Sequence, residues 1–213
     1  KYDISREEQD AFALRSYENS ALTTKNGFFS NEIIGVSVPQ RRGEPILIVE
    51  DEEYKRVKFE KVSQLRPAFS KNGTVTAANA STINDGASAL ILASAEALKK
   101  YNLKPVAKIL SFADAAHEPQ WFTTAPTIAA PKALKLAKIT ISDVDYFEVN
   151  EAFSVVPLAF NKILDVDINK VNVHGGAVSL GHPLGASGAR IVTTLINVLQ
   201  NRDAKVGLSL IHI

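Results

Sequence analysis

The chain has 213 residues, a net charge of +1 at pH 7, and neither Cys nor Met. Hydrophobic residues make up 46% and charged residues 22%, ordinary values for a globular protein of one or two domains. The near-neutral charge does not favour nucleic acid or an anionic membrane as a partner, and no apolar run approaches the ~20 residues that span a bilayer. Without Cys, these residues offer no disulfide, no thiolate metal site and no thiol nucleophile.

A helix pattern opens the chain. Ser5 and Glu8 have the spacing of a capping box, and Asn26-Gly27 predicts the C-terminus of this helix. Between them Ala13, Tyr17 and Ala21 recur on one face. Because the chain starts at Lys1 without a Met, processing or truncation is expected to have removed its beginning, so no targeting segment reveals the compartment.

The following segments predict an α/β protein. Short strands are predicted over 32–38 and 46–49, followed by a change from acidic to basic residues over 50–58 that is typical of a solvated loop. The apolar run 87–93 predicts a buried helix start or a buried strand. Further predicted elements are helices over 94–101, 131–138, 151–164 and 186–200, and strands over 106–110, 144–149 and 171–174. Alternating strands and helices favour α/β layers.

A glycine-rich segment from Gly175 to Gly188 joins an apolar strand to a helix. It holds His182, which Pro183 keeps in a turn, where a neutral imidazole can take a proton from a nucleophile or donate to an oxyanion. The alternatives are a tight turn with an incidental His, or a phosphate cradle. The cradle is weaker because the spacing of the later glycines does not match G-x-G-x-x-G.

Two further segments have a functional and a structural interpretation each. Asn150 follows a predicted strand, either as a helix N-cap or as a holder of a water or substrate carbonyl at a helix N-terminus. The small residues from Gly73 to Ser81 either line a narrow tunnel or simply pack closely.

Taken in order, these motifs resemble the second half of a thiolase. The resemblance rests on Ile4–Ala13, Asn72–Ser81, Asn84–Ala87, Asn150–Phe153 and Gly175–Arg190, and runs from Lys1 to about Gly207. Glu50–Val57 and the Ala-Ala-Asn-Ala-Ser variant are most similar to eukaryotic acetoacetyl-CoA thiolases (acetyl-CoA C-acetyltransferases), the mitochondrial type above all. The implied fold is α/β in five layers (αβαβα), with two similar halves stacked back to back.

The resemblance implies an acyltransferase that condenses two acetyl-CoA to acetoacetyl-CoA, or cleaves acetoacetyl-CoA with free CoA, through an acyl-Cys. It implies no covalently bound cofactor, a homotetramer, and a mitochondrial or alternatively cytoplasmic location. Two other functions stay open: a 3-ketoacyl-CoA thiolase of β-oxidation, and a non-catalytic CoA-binding protein.

The resemblance also assigns roles to matching residues. His182 would activate the nucleophilic Cys, and with a water on Asn150 would form the oxyanion hole. Ser81 would bind the pantetheine arm, and Phe153 would wall the acyl site. The segment expected at the adenine and phosphate end of CoA comprises Arg56, Val57, Lys58 and Lys61.

Tyr17 matches the Tyr of a potassium-activated subgroup and belongs to the expected substrate-binding set as well. Backbone carbonyls would complete a K⁺ site at Ala77, Ala78, Ala80 and Val178. The alternative for Tyr17 is a core residue on a helix face.

In family terms, residues 1–80 are expected to end the loop domain, 81–102 to end the N-terminal half, and 103–207 to form most of the C-terminal half. The last six residues, 208–213, replace the Cys-x-Gly-Gly-Gly tail of the family and match one frame of a transposase sequencing adapter, so we expect a non-native tail. Since both thiols would lie outside this sequence, the 213-residue chain alone is predicted to be inactive and poorly soluble.

Overall fold

The structure is a computed structural model and describes residues 1–211, so the last two residues of the expected tail lie outside the described part. The helices are Arg6–Lys25 (α1), Ala95–Lys100 (α2), Pro126–Ala137 (α3), Val155–Leu164 (α4), Ala177–Leu180 (α5) and Ser187–Asn201 (α6). The strands are Val36–Val38 (β1), Ile46–Ile48 (β2), Tyr146–Val149 (β3) and Gly207–Leu210 (β4). Among the described residues, no helix is long and apolar enough to cross a membrane.

Helix α1 begins and ends where its caps predict. The Glu8 amide donates to Ser5 Oγ at 3.1 Å, the Ser5 amide donates to the Glu8 carboxylate at 2.6 Å, and Asn26 is the C-cap. Of the three residues predicted to recur on one face, Ala13 and Tyr17 are buried and Ala21, one turn further on, is exposed. The buried face of α1 includes Ser16 and Ser20 instead, whose hydroxyls both form hydrogen bonds with Ser179 of the glycine-rich segment.

The parallel pair β3–β4 forms the centre of the C-terminal part. Its register runs from Tyr146 opposite Gly207 to Val149 opposite Leu210. Phe147 and Val149 pack with α3 and α4 on one face. On the other face a Cβ at Gly207 would lie 2.8 Å from Leu195 of α6, which shows how closely that helix approaches. Helices therefore cover both faces of the pair.

The strand predicted over 171–174 is wrong beyond a single bridge between Val171 and Phe147. Asn172 has a left-handed backbone (φ 48°), which ends the extended run. Its side chain then acts as a backbone group, since Oδ1 accepts from the Val149 amide and Nδ2 donates to the Val149 carbonyl, both at 2.8 Å. A side-chain amide thus replaces the strand that we expected beside β3.

Several predicted boundaries move. The strand expected over 32–38 is confined to β1, because a short 3-10 turn precedes it and the Glu32 carboxylate binds Thr194 and Asn197 of α6. Helix α3 starts at Pro126, five residues before the predicted start, as suits a Pro at the first helical position.

Two apolar segments are not buried. The run 87–93 and the predicted strand 106–110 form neither helix nor strand, and Ile91 is 95% and Val106 73% exposed. Their apolar character predicts burial, but no helix or strand of the described part covers them. These predictions are wrong for the described residues.

Candidate active site

His182 and Asn150 meet in the interior. His182 is 5% and Asn150 1% exposed, and His182 Nε2 lies 3.2 Å from Asn150 Nδ2. The two residues are 32 positions apart, so the fold rather than local sequence joins them. The structure thus pairs the two side chains to which the sequence assigned chemistry.

The end of β3 and the start of α4 hold Asn150. Its backbone amide donates to the Leu210 carbonyl at 2.9 Å, which extends the β3–β4 ladder by one residue. The predicted N-cap role of Asn150, and the helix start at 151, are wrong, because α4 begins at Val155 with Ser154 at the cap position. The side chain is thereby free of capping and turns to His182. Asn150 Oδ1 is buried without a hydrogen-bond partner among the described residues, a costly state that a donating ligand or water would relieve.

The glycine-rich segment fixes His182 from three sides. The backbone at Gly181 is left-handed (φ 90°), and the His182 amide then donates to the Thr82 carbonyl at 2.9 Å. His182 Nδ1 lies 2.7 Å from Ser187 Oγ in the first turn of α6. Burial lowers the pKa of His182 below its usual value, and the nearby positive charge of Arg190 lowers it further. The ring is therefore neutral near pH 7 and can accept a proton.

Glu151 is a site-supporting residue that the sequence did not reveal. Its buried carboxylate accepts from Ser16 Oγ and Asn172 Nδ2, each at 2.7 Å, and from the Val178 amide at 3.1 Å. Burial raises the pKa of Glu151, and these hydrogen bonds oppose that rise. It thus ties α1 to the segment that leads into His182. Because Ser16 is 135 positions away, no local signal marks this role.

Ser81 and Phe153 lie on adjoining segments next to Asn150. The Ser81 amide and hydroxyl both donate to the Ala152 carbonyl, at 3.0 and 3.1 Å, and Ala80 pairs with Phe153. The Phe153 and Phe69 rings are packed edge to face, with 6.1 Å between the ring centroids. The run of small residues therefore packs closely along 152–153, and that packing places Ser81 beside the site.

The basic segment expected to meet the phosphates of CoA packs on α1. Val57 contacts the buried cluster of Ala13, Tyr17 and Val178. Lys58 and Lys61 are exposed, as is Arg56, which forms ion pairs with neighbouring glutamates at 3.1 and 3.2 Å. These contacts join the segment to α1 rather than to His182.

Two of the five expected K⁺-site residues, Tyr17 and Val178, lie in one buried cluster. Tyr17 packs with Val178, and burial raises its pKa to about 12, so its hydroxyl stays protonated. Ala77 is exposed, Ala78 is buried, and Ala80 pairs with Phe153. In residues 1–211 no cluster of three or more His, Cys, Asp or Glu side chains is arranged for a metal ion.

A cavity of about 400 Å³ opens next to His182. It lies between two loops, and a Cβ added to Gly86 would lie 2.8 Å from the Pro183 ring, so a glycine keeps the loops close. The lining residues are Asn84, Asp85, Gly86, Ala87, Ser88, Pro183, Leu184, Gly185 and Ala186.

Comparison with known proteins places this site in a class. The family "Thiolase, N-terminal domain" matches residues 1–96, and "Thiolase, C-terminal domain" matches residues 103–213. The chain belongs to the thiolase family and has the thiolase fold.

Particular relatives are acetyl-CoA acetyltransferases. A probable acetyl-CoA acetyltransferase of Dictyostelium discoideum is 56% identical over 99% of this chain and 51% of its own length. The Bacillus anthracis acetyl-CoA acetyltransferase structure superposes with a TM-score of 0.95 at 39% identity, over 100% of this chain and 54% of that one. A thiolase of Ascaris suum in complex with coenzyme A gives 0.89 at 45% identity, over 99% and 53%. The chain thus spans about half the length of the relatives it matches.

Proposed function

We propose that the whole protein transfers acetyl groups between thioesters, by condensing two acetyl-CoA to acetoacetyl-CoA or by cleaving acetoacetyl-CoA with CoA. The observation that carries this proposal is the buried contact of His182 Nε2 with Asn150 Nδ2, in a chain of the thiolase family. A neutral imidazole takes the proton of a thiol, and the resulting N–H then donates to the oxygen on which charge develops. This sequence has no Cys, so the proposed mechanism requires thiols supplied from outside these 213 residues.

The second catalytic contribution is assigned to Asn150. A water held by its side chain would complete the oxyanion hole with His182. The buried Asn150 Oδ1, which lacks a partner among the described residues, supports this role because it can accept from such a water. Phe153 would limit the room for the acyl group.

We propose that Ser81 and the basic segment 56–61 each contact a different part of coenzyme A. The complex of the Ascaris suum thiolase with coenzyme A supports this ligand. The exposed side chains of Lys58 and Lys61 suit a polyanionic phosphate end. Arg56 can join them, because its side chain is exposed and an ion pair between two exposed side chains, such as its contact with Glu52, contributes little.

A K⁺ site, a tetramer and the compartment belong to the same proposal. The packing of Tyr17 on Val178 supports an ion site that the carbonyls of Ala77, Ala78, Ala80 and Val178 would complete. Replacement of K⁺ by Na⁺ is expected to lower the rate, and an unchanged rate would contradict the site. A homotetramer in mitochondria is the arrangement we favour. A relative from Danio rerio is named mitochondrial and is 54% identical over 93% of this chain and 47% of its own length. A relative from Gibberella zeae is named cytosolic and is 53% identical over 97% of this chain and 52% of its own length.

The substrate test compares acyl chains on the full-length protein. We expect CoA-dependent cleavage of acetoacetyl-CoA to exceed cleavage of a long-chain 3-ketoacyl-CoA in kcat/KM, since the Dictyostelium discoideum and Bacillus anthracis relatives are named for acetyl transfer. A preference for the long chain would support the β-oxidation alternative. Binding of CoA without turnover of either substrate would support the non-catalytic one.

A further inference from the structure

Ser187 links His182 to a backbone carbonyl. It is fully buried in the first turn of α6, with its hydroxyl oxygen 2.7 Å from His182 Nδ1 and 3.1 Å from the Pro183 carbonyl oxygen. The Ser187 amide also donates to this carbonyl, at 2.9 Å. The Ser187 hydroxyl thus lies within hydrogen-bond distance of both His182 Nδ1 and the Pro183 carbonyl oxygen.

The number of protons in this chain of contacts decides the tautomer of His182. A neutral imidazole carries one ring proton, a hydroxyl carries one, and a carbonyl carries none. When the Ser187 hydroxyl donates to Pro183, its oxygen is left to accept from Nδ1–H. At the other end of the ring, Asn150 Nδ2 faces Nε2 and is a donor, so Nε2 must accept. Both ends place the ring proton on Nδ1.

The opposite arrangement needs two changes. Ser187 would donate to Nδ1 and give up its contact with Pro183, and Nε2–H would then face the amide donor of Asn150. Only a half-turn of the Asn150 amide would relieve that contact of two donors. The geometry of the structure fits the first arrangement without any change.

We propose that Ser187 is a positioning residue that keeps the proton of neutral His182 on Nδ1, so that Nε2 is the nitrogen that exchanges protons with the reacting groups. In the step this serves, the Asn150 amide gives up its contact with Nε2, and the Nε2 lone pair takes the thiol proton. The sulfur keeps the electron pair as a thiolate, and the ring becomes an imidazolium with a proton on each nitrogen. The same Nε2–H later returns that proton. The identity of the reacting group rests on the proposed function, whereas the tautomer does not.

Solid-state ¹⁵N spectroscopy of the histidine-labelled, full-length protein tests the tautomer. The spectrum is taken well above the ordinary His pKa of ~6.5, and a His182→Gln variant identifies the signals of His182. We expect a protonated Nδ1 and an unprotonated Nε2. Ser187→Ala is expected to populate the Nε2–H form as well. A protonated Nε2 in the unaltered protein, or a tautomer unchanged in Ser187→Ala, would overturn the proposal.

Ser154→Ala is the matched control. Ser154 is as fully buried as Ser187, but its hydroxyl has no hydrogen-bond partner among the described residues. The same atom is removed there without loss of a hydrogen bond, so the His182 signals should not move. Movement equal to that in Ser187→Ala would show a general packing effect and contradict the proposal.

Kinetics separate this inference from the proposed function. Ser187→Ala should lower kcat roughly 10- to 100-fold with little change in KM, the cost of one lost hydrogen bond to a catalytic ring. Ser187→Thr, which keeps the hydroxyl, should restore both the rate and the tautomer. An Nδ1–H tautomer in a protein without thiolase activity would refute the proposed function and leave the role of Ser187 intact. An active enzyme with the Nε2–H tautomer would refute the role of Ser187 and leave the proposed function intact.

Discussion

Glu148 and Glu151 lie on either side of the Val149–Asn150 pair and are both buried. Glu151 accepts three hydrogen bonds, whereas Glu148 Oε1 has no partner among the described residues. Burial raises the pKa of Glu148 well above its usual value, although the positive charge of Arg190 opposes the rise. The folded protein thus holds a proton on Glu148 more tightly than the unfolded chain does.

The sign of this shift gives a pH prediction. A raised carboxyl pKa contributes stability that is fully present below the unfolded value and is lost as pH rises through the folded value. In the unaltered protein, the free energy of unfolding should therefore fall by up to about 1.4 kcal/mol per pH unit above pH ~4.5 because of Glu148. Glu148→Gln, whose side chain cannot ionise, should not show this fall. Urea unfolding of the full-length protein across a pH series measures the difference.

Glu44→Gln is the control for this measurement, because it makes the same substitution at an exposed side chain. Parallel stability curves for Glu148→Gln and the unaltered protein would contradict the assignment.

The sequence revealed some residues of the site and not others. His182 and Asn150 stand out because each follows a predicted strand in a motif with chemical meaning. Glu151 and Ser187 did not, since an acid beside a helix start and a Ser in a helix are common, and their roles depend on contacts that the fold creates. The N-cap interpretation of Asn150 was wrong because α4 begins only at Val155, and the Asn150 side chain contacts the distant His182 instead.

At the scale of elements, the glycine-rich segment depends on close contact with its neighbours. A Cβ at Gly176 would lie 2.3 Å from the Glu151 carboxyl carbon, and one at Gly175 would lie 1.9 Å from Ser20 Oγ. Helix α5 has four residues, too few to be stable alone, so α1 and Glu151 hold it in place.

Gly176→Ala should therefore destabilise the protein by about 1–3 kcal/mol, the usual cost of overpacking, and should lower the rate because the segment leads into His182. Gly185→Ala, in the same segment, is the matched control, since a Cβ there meets nothing within 4 Å. Denaturant unfolding of both variants measures the difference, and equal losses would disprove the proposed contact with Glu151.

Local signals predicted some elements well. The caps of α1 were predicted correctly, because they depend on residues close together in the sequence, and α2 and α6 begin and end within one residue of their predicted bounds. The strands expected over 106–110 and 171–174 were not found. A strand needs a partner, and apolar composition alone does not say whether one is present. For 171–174 the Asn172 side chain takes the place of that partner.

At the scale of the whole molecule, apolar side chains are exposed along residues 83–112. Ile91 and Phe112 are 95% and 86% exposed, and many exposed apolar side chains on one stretch of chain favour association. The 213-residue chain produced alone should aggregate and bind a hydrophobic dye strongly, whereas the full-length protein should do neither. Light scattering and dye fluorescence at matched concentration test this. A monodisperse 213-residue chain with weak dye binding would contradict the prediction.

In the proposed function, His182 transfers the proton in acyl exchange between thioesters. The most direct measurement is the CoA-dependent cleavage of acetoacetyl-CoA by the full-length protein and by its His182→Ala variant, with folding of both checked by circular dichroism. We predict a readily measured rate for the unaltered protein and a loss in kcat of about 100-fold or more in the variant. A folded His182→Ala variant with an unchanged rate would contradict the account.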